Sequence, residues 1–162
     1  MQFRDKAVMF LATGGFVGNI PFAPGTFGSL LGIPLCFAFD KIRLTLAIVG
    51  TAGLIAFAIW IAQLAETITK QKDPGKIVID EIAGMVVTMI GIPFHLISVV
   101  IGFFIFRALD ILKPFPIRYL EHRVRGGSGV VIDDVAAGIC ANILVRLVLY
   151  IFDIINSKLL SP

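Results

Sequence analysis

The segment RALDILKPFPIRYLEHRVRGGSGVVIDD, residues 107–134, is the longest polar interruption in a chain that is otherwise apolar. It contains five of the fourteen Lys and Arg residues and four of the eleven Asp and Glu residues. Apolar stretches border it on both sides, so its charges lie where a hydrophobic body ends. The fold must therefore hold a charged segment at the boundary of an apolar structure.

The composition of the whole chain indicates an integral membrane protein. Of its 162 residues 57% are hydrophobic, and the mean hydropathy is +0.95, whereas soluble domains contain about 45–50% apolar residues. The length predicts one domain, residues 1–162. The net charge is only +3, and the basic residues cluster at segment ends. This pattern favours anionic phospholipid headgroups as partners and argues against nucleic acid.

Apolar runs between polar loops predict an all-α fold, a compact membrane-embedded bundle of about six helices, some of them short or half-penetrating. Residues 44–65 are the clearest span, because their 22 residues extend about 33 Å as a helix. Residues 14–29 are expected to form a loop because of their Gly and Pro content, and Ser29 is expected to cap the next helix. The remaining helices are expected at 5–13, 30–39 and 135–155, and in the apolar run 82–106, which Pro93 breaks.

The break at Pro93 decides whether the acidic residues can meet. In one continuous helix, Asp80 and Asp110 would lie about 45 Å apart. Residues 82–92 alone would extend about 16 Å, too short to cross a membrane. A turn at Pro93 would return both acids to one end of the bundle, so a hairpin of short helices is expected.

Basic residues are distributed unequally between the two ends of such a bundle. With the loops 14–29, 66–81 and 107–134 on the side of the N-terminus, that side holds ten Lys and Arg residues and the other holds three, with Arg146 inside a segment. The positive-inside rule then places the first side in the cytoplasm.

The chain contains one internal repeat, in which IVIDEIAG, residues 77–84, resembles VVIDDVAAG, residues 130–138. Each copy has an apolar triplet, two adjacent acids and small residues that open a helix. The Ala and Gly residues would allow two helices to approach closely and would bring the acid pairs together. Acids also cap helix N-termini, so capping is the alternative. Two matched pairs favour a cation site, since carboxylates gathered at a membrane boundary are costly without one.

A third acid, Asp110, lies in the pattern Arg107-x-x-Asp110-x-x-Lys113, whose spacing places all three residues on one helix face. These residues form either an intrahelical salt bridge or a site in which Asp110 binds a metal and the two basic residues bind phosphate. Ligand sets made only of oxygen suit Mg²⁺ or Mn²⁺ rather than zinc. The turns PGTFGS, 24–29, and GGSG, 126–129, could bind phosphate through backbone N–H groups, although plain turns are commoner.

Four stretches of the chain together resemble the phosphatidylglycerophosphatase A family. They are PFAPGTFGS (21–29), VIDEIAGM (78–85), FRALDILKPFPIR (106–118) and GGSGVVIDDVAAG (126–138). The resemblance implies a multi-pass, Mg²⁺-dependent lipid phosphatase of the bacterial inner membrane, with its active site at the cytoplasmic face. The expected reaction converts phosphatidylglycerophosphate to phosphatidylglycerol and phosphate.

The matched motifs also supply the expected site residues. The catalytic set is Asp80, Glu81, Asp110, Lys113, Asp133 and Asp134. All five of its carboxylates are candidate Mg²⁺ ligands, and direct ligation is expected from Glu81, Asp110 and Asp134. The substrate is expected to contact Thr26, Ser29, Arg107, Arg118, Arg125 and Ser128. Hydrolysis by a metal-activated water is expected, while a carboxylate nucleophile stays open.

Other classes of function fit the sequence less well. A small ion or proton transporter would use carboxylates at helix breaks, but it would place them in mid-span rather than at segment ends beside basic residues. A non-enzymatic lipid-binding subunit is a third possibility. Cys140-x₅-Arg146 has the spacing of a cysteine phosphatase loop, but it contains no Gly and lies in an apolar helix where a thiolate is disfavoured, so that interpretation is rejected.

Overall fold

The computed structural model describes residues 3–71, 74–115, 117–119, 124 and 126–160, with side chains described as far as residue 157. Within these ranges the fold is all-α and contains no strand, which confirms the predicted fold class. In this part of the chain six helices are ten residues or longer: α1 Phe3–Ala12, α2 Pro24–Asp40, α3 Leu44–Thr69, α4 Ile79–Met89, α5 Leu96–Leu112 and α6 Gly127–Leu160. A 3₁₀ turn covers Val17–Asn19.

The short helix α4 is the centre of the bundle. Nine of its eleven residues are buried, and it packs against α2, α3, α5 and α6. At about 16 Å it is too short to cross a membrane. Its neighbours surround it, so its polar first turn is held inside the protein at one end of the bundle.

Two helices, α3 and α6, are long and apolar enough to cross a membrane. Only 22% of the apolar window of each is buried inside the protein, and large side chains such as Trp60, Ile143 and Leu147 are exposed. The core helix of a soluble protein would be mostly buried. An apolar surface of this extent indicates association with a membrane.

The hairpin predicted at Pro93 is confirmed. Helix α4 ends at Met89 and α5 begins at Leu96. Gly91 lies in the left-handed region, with φ +65, and the N–H of Phe94 donates to the Asp40 carboxylate at 3.1 Å. Because the chain reverses here, the first turn of α4 and the last turn of α5 lie at the same end of the bundle.

Helix α2 begins earlier than the sequence predicts. Its first residue is Pro24, whose fixed φ suits the first position of a helix. The expected loop 14–29 therefore ends at residue 23, and Ser29 is not an N-cap. Ser29 lies in the second turn, where its hydroxyl donates to the carbonyl of Gly25 at 2.9 Å.

Helix α6 also begins earlier than expected, at Gly127 rather than near residue 135. The pair Asp133 and Asp134 therefore lies two turns inside the helix and does not open it. Capping of a helix N-terminus is thus excluded for this pair, whereas Asp80 and Glu81 do lie in the first turn of α4.

Candidate active site

Three carboxylates from two helices meet at one end of the bundle. One oxygen from each of Asp80, Glu81 and Asp134 lies within 4.8 Å of the others, and we call this group the acid cluster. Asp80 is 7% exposed and Asp134 is 3% exposed. Like charges removed from water are unfavourable without a cation, so the acid cluster could hold a metal ion.

Asp110, near the end of α5, lies at the edge of the acid cluster. Its carboxylate is within hydrogen-bonding reach of Asp134. Its Oδ2 also accepts a hydrogen bond from Arg107 Nη1 at 2.6 Å, and both side chains of this ion pair are 13% exposed. The predicted intrahelical salt bridge therefore forms, and its acid still reaches the other carboxylates.

Asp133 is not a member of the acid cluster and forms an ion pair with Lys113 instead. Its Oδ2 accepts from Lys113 Nζ at 2.5 Å, and Lys113 follows α5 with a left-handed φ of 42. Neighbouring helix residues point about 100° apart, so Asp134 can join the cluster while Asp133 cannot. The pair Asp80 and Glu81 does not divide in this way, because both carboxylates belong to the cluster.

Two glycines allow α4 and α6 to bring their acids together. A Cβ atom at Gly138 would lie 2.6 Å from the carbonyl oxygen of Gly84, and one at Gly84 would lie 2.9 Å from that of Asp134. Each glycine follows an acid of the cluster by four residues, one helical turn. The close approach that the repeat predicted is therefore confirmed, and it places Asp80 beside Asp134.

The first turns of α2 form another wall of the site. A Cβ atom at Gly25 would collide with Glu81 Oε1 and would lie 3.1 Å from Arg107 Nη2. Ser29 is fully buried and accepts a hydrogen bond from Arg107 Nη1 at 3.4 Å. Thr26, the residue after Gly25, is half-buried. The sequence pattern did not single out Gly25, although a glycine in the first turn of a helix was a usable signal.

The electrostatics of the site favour the binding of a cation. Burial raises the pKa of Glu81, and the charge of Asp110 raises it further, whereas a hydrogen bond with Asp80 and the charge of Arg107 act in the opposite direction. Glu81 Oε2 and Arg107 Nε are buried and have no hydrogen-bond partner. Buried polar atoms are nearly always partnered, so the first is available to a cation and the second to an anion.

Three further substrate contacts were predicted, at Arg118, Arg125 and Ser128. Ser128 is half-buried in the first turn of α6. The N–H of Gly127 donates to Gln63 Oε1 of α3 at 2.8 Å, so this group of the expected phosphate turn is already engaged. Arg118 is exposed, and Arg125 lies outside the described residues.

Comparison with known proteins gives a consistent result. Residues 10–149 match the family model described as Phosphatidylglycerophosphatase A. The chain is 36% identical over 130 residues to phosphatidylglycerophosphatase A of Escherichia coli K12, which covers 80% of this chain and 76% of the relative. It is 35% identical over 145 residues to phosphatidylglycerophosphatase A of Haemophilus influenzae, with coverage of 88% and 89%.

A third relative has a different name. A putative phosphatidylinositol-3-phosphatase of Bacteroides thetaiotaomicron is 35% identical over 145 residues, which cover 85% of this chain and 90% of the relative. No solved structure matches the chain.

Proposed function

The chain belongs to the phosphatidylglycerophosphatase A family of phosphoric monoester hydrolases, and we propose that it converts phosphatidylglycerophosphate to phosphatidylglycerol and phosphate with Mg²⁺ held by the acid cluster. The observation that carries this proposal is the meeting of Asp80, Glu81 and Asp134 within 4.8 Å, beside a guanidinium group that has an unused donor.

The residues of the site suit a hard divalent cation. Four carboxylates meet here, and that of Asp110 forms an ion pair with Arg107. All of the candidate ligands are oxygen atoms, as Mg²⁺ prefers. Asp80, Glu81 and Asp134 would hold the ion, and Asp110 would complete or orient the set through Asp134. When bound, Mg²⁺ would polarise the phosphoryl group and lower the pKa of a water molecule.

Arg107 is the residue best placed to bind the phosphate of the substrate. Its Nη1 is fixed by Asp110 and Ser29, while its Nε has no partner. A guanidinium group held in this way presents its remaining donors to phosphate oxygens in a fixed geometry. Ser29 would therefore act by orienting Arg107 rather than by touching the substrate.

Lys113 and the helix termini add positive potential at the same end of the bundle. The Lys113 side chain is 25% exposed and so lies between its partner Asp133 and the solvent. The N-termini of α2 and α4 both face the site, since Gly25 and Glu81 lie in their first turns and are in contact. Helix N-termini favour anionic groups.

The position of the acid cluster favours hydrolysis over ion transport. Its members lie in the first turn of α4 and two turns inside α6, and Asp110 lies near the end of α5. A transport pathway would need carboxylates near mid-span. A site at one end of the bundle can instead receive a lipid whose phosphate lies at the membrane surface.

The substrate can be tested by measuring phosphate release by the purified protein. The panel should contain phosphatidylglycerophosphate, phosphatidate and phosphatidylinositol 3-phosphate, because one relative is named for the last of these. We expect release from phosphatidylglycerophosphate that a chelator abolishes and added Mg²⁺ restores. Full activity in excess chelator would exclude the metal, and faster release from phosphatidylinositol 3-phosphate would replace the proposed substrate.

We further propose that the site faces the cytoplasm in a multi-pass protein of the bacterial inner membrane. The ten-to-three distribution of basic residues supports this orientation. In a chain without Cys36 and Cys140, Ser128→Cys should resist an impermeant thiol reagent added to intact cells, and Ile42→Cys in the opposite connection should react. Labelling of Ser128→Cys from outside would reverse the orientation.

A further inference from the structure

At the end of α4 opposite the acid cluster, two side chains of α6 bind the α4 backbone. Asn142 Nδ2 donates to the carbonyls of Thr88 at 2.8 Å and Ile90 at 3.0 Å. Arg146 Nη2 donates to the carbonyls of Ile90 and Gly91, both at 3.0 Å. Arg146 Nε also donates to Asn142 Oδ1 at 2.8 Å, which orients both donors. We call these two residues the Asn142–Arg146 clamp.

The clamp meets a specific need of the α4 backbone. The last four carbonyls of a helix have no partner within the helix, and in hydrocarbon each unsatisfied group costs several kcal/mol. Asn142 and Arg146 lie about 23 and 28 Å along α6 from its first residue, so α4 ends far from the acid cluster, next to the connection between α2 and α3. The clamp therefore supplies donors to carbonyls that the helix itself leaves without a partner.

The clamp and the acid cluster are the two ends of one helix contact. Residues four apart form a continuous ridge along a helix. On α6 this ridge bears an acid of the cluster, the glycine of closest approach and both clamp residues: Asp134, Gly138, Asn142 and Arg146. On α4 the facing positions are Asp80, Gly84 and Thr88.

We propose that the Asn142–Arg146 clamp positions the metal ligands, because it fixes the axial register of α4 against α6. This inference rests on the proposed function in one respect, that the acid cluster binds a divalent cation. The glycine contact allows the helices to approach by close packing, whereas the hydrogen bonds of the clamp are directional. The register in turn sets the separation of Asp80 and Glu81 from Asp134.

A change in the register of α4 against α6 should weaken metal binding. Mg²⁺ requires near-octahedral geometry with oxygen ligands about 2.0–2.1 Å away. A slip of α4 by one turn would move its acids about 5.4 Å, which exceeds the 4.8 Å that now contains the whole cluster. Loss of groups that orient metal ligands typically weakens affinity or activity about 10–100-fold, and we expect the clamp to belong in that range.

The test compares Asn142→Leu, which removes the amide donors at similar volume, with the control Asn156→Leu further along the same helix. Mn²⁺ dissociation constants of the metal-free, full-length protein in detergent are measured by the electron paramagnetic resonance signal of free Mn²⁺. We expect Kd to rise about tenfold or more in Asn142→Leu and to be unchanged in the control. Raised Mg²⁺ should restore kcat of Asn142→Leu without a change in the lipid KM.

A merely structural role would lower the melting temperature without changing the metal concentration that gives half-maximal activity. Wild-type Mn²⁺ affinity in Asn142→Leu would overturn the clamp and leave the proposed function intact. Failure of the unmodified protein to bind Mn²⁺ would instead contradict the metal site, and the clamp with it. If Asn142→Leu does not fold, Arg146→Lys keeps the charge but loses the paired donors, and an unchanged Kd there overturns the clamp equally.

Discussion

The two acid pairs of this protein are nearly alike in sequence and are used differently in the structure. Asp80 and Glu81 lie in the first turn of α4, and both carboxylates enter the acid cluster. Asp133 and Asp134 lie two turns inside α6. Only Asp134 enters the cluster, while Asp133 binds Lys113. Similar local sequences therefore do not give the paired residues equivalent positions.

The glycine after each pair determines which acids correspond. Gly84 follows Asp80 by four residues, and Gly138 follows Asp134 by four. The second copy of the repeat contains one more alanine than the first, which shifts its acid pair by one position relative to the glycine. When the copies are aligned on their glycines, Asp134 corresponds to Asp80, and Asp133 corresponds to the buried apolar residue before it. The helix contact, not the acid pair, is thus the repeated unit.

The largest effect is expected where the two copies correspond. Asp80→Asn and Asp134→Asn should each lower kcat about 10³-fold or more, because a metal centre supplies several kcal/mol of transition-state stabilisation. Addition of Glu81→Gln to either variant should lower kcat little further, since the ligands act as a unit. The measurement is the initial rate of phosphate release at saturating lipid and Mg²⁺.

The metal-free variants provide the control for folding. Neutralising one buried carboxylate relieves repulsion among like charges, so the melting temperature of metal-free Asp134→Asn should equal or exceed that of the unmodified protein. The opposite outcome is a modest loss of kcat in each variant, losses that multiply when the substitutions are combined, and wild-type metal affinity. It would show that the acids act independently, and the comparison of the two acid pairs would lose its basis.

A smaller effect is expected where the two copies differ. Asp133→Asn should lower kcat about 10–100-fold, as is typical for residues one step removed from a metal, because Lys113 loses its ion pair with Asp133. Lys113→Met should have a similar effect, and the double variant should be no worse than either single one, since the two side chains form one interaction. Mn²⁺ affinity should be unchanged in all three. Loss of Mn²⁺ binding in Asp133→Asn would make Asp133 a ligand and the two pairs equivalent.

Much of the fold followed from the lengths of the apolar runs. The rise of a helix and the break at Pro93 together required a hairpin, and the hairpin brings the first turn of α4 to the end of α5. The early starts of α2 and α6 were not predicted, because the glycines in both segments favour turns over helices. In the structure such glycines serve packing. A Cβ atom at Gly28 would lie 2.7 Å from Val78 Cβ, so tertiary contact overrides intrinsic propensity.

The contacts around the acid cluster were less predictable than the cluster itself. The pattern of acids beside small residues predicted Asp80 and Asp134 as site residues. Gly25 and the clamp residues, by contrast, act through partners that are remote in sequence. Gly25 matters only because Glu81 and Arg107 pack on it. Asn142 and Arg146 were visible as polar residues in an apolar helix, which is a functional signal, yet their target is a backbone whose position depends on the hairpin.

The smallest effect is expected from a comparison of Gly138, which lies at the contact between α4 and α6, with Gly53 in α3. A Cβ atom at Gly138 would lie 2.6 Å from Gly84 O and 3.0 Å from Val87 Cβ. Backbone cannot yield easily, so Gly138→Ala should destabilise the protein by about 1–3 kcal/mol and should weaken Mn²⁺ binding as α4 moves away from α6. Gly53 has nothing within 4 Å of such an atom, and Gly53→Ala should stabilise α3 by about 0.5–1 kcal/mol. Thermal unfolding of both variants in one detergent measures the difference. Equal stability and equal Mn²⁺ affinity would mean that the two helices can separate without consequence, and the glycine would then not set the correspondence between the two acid pairs.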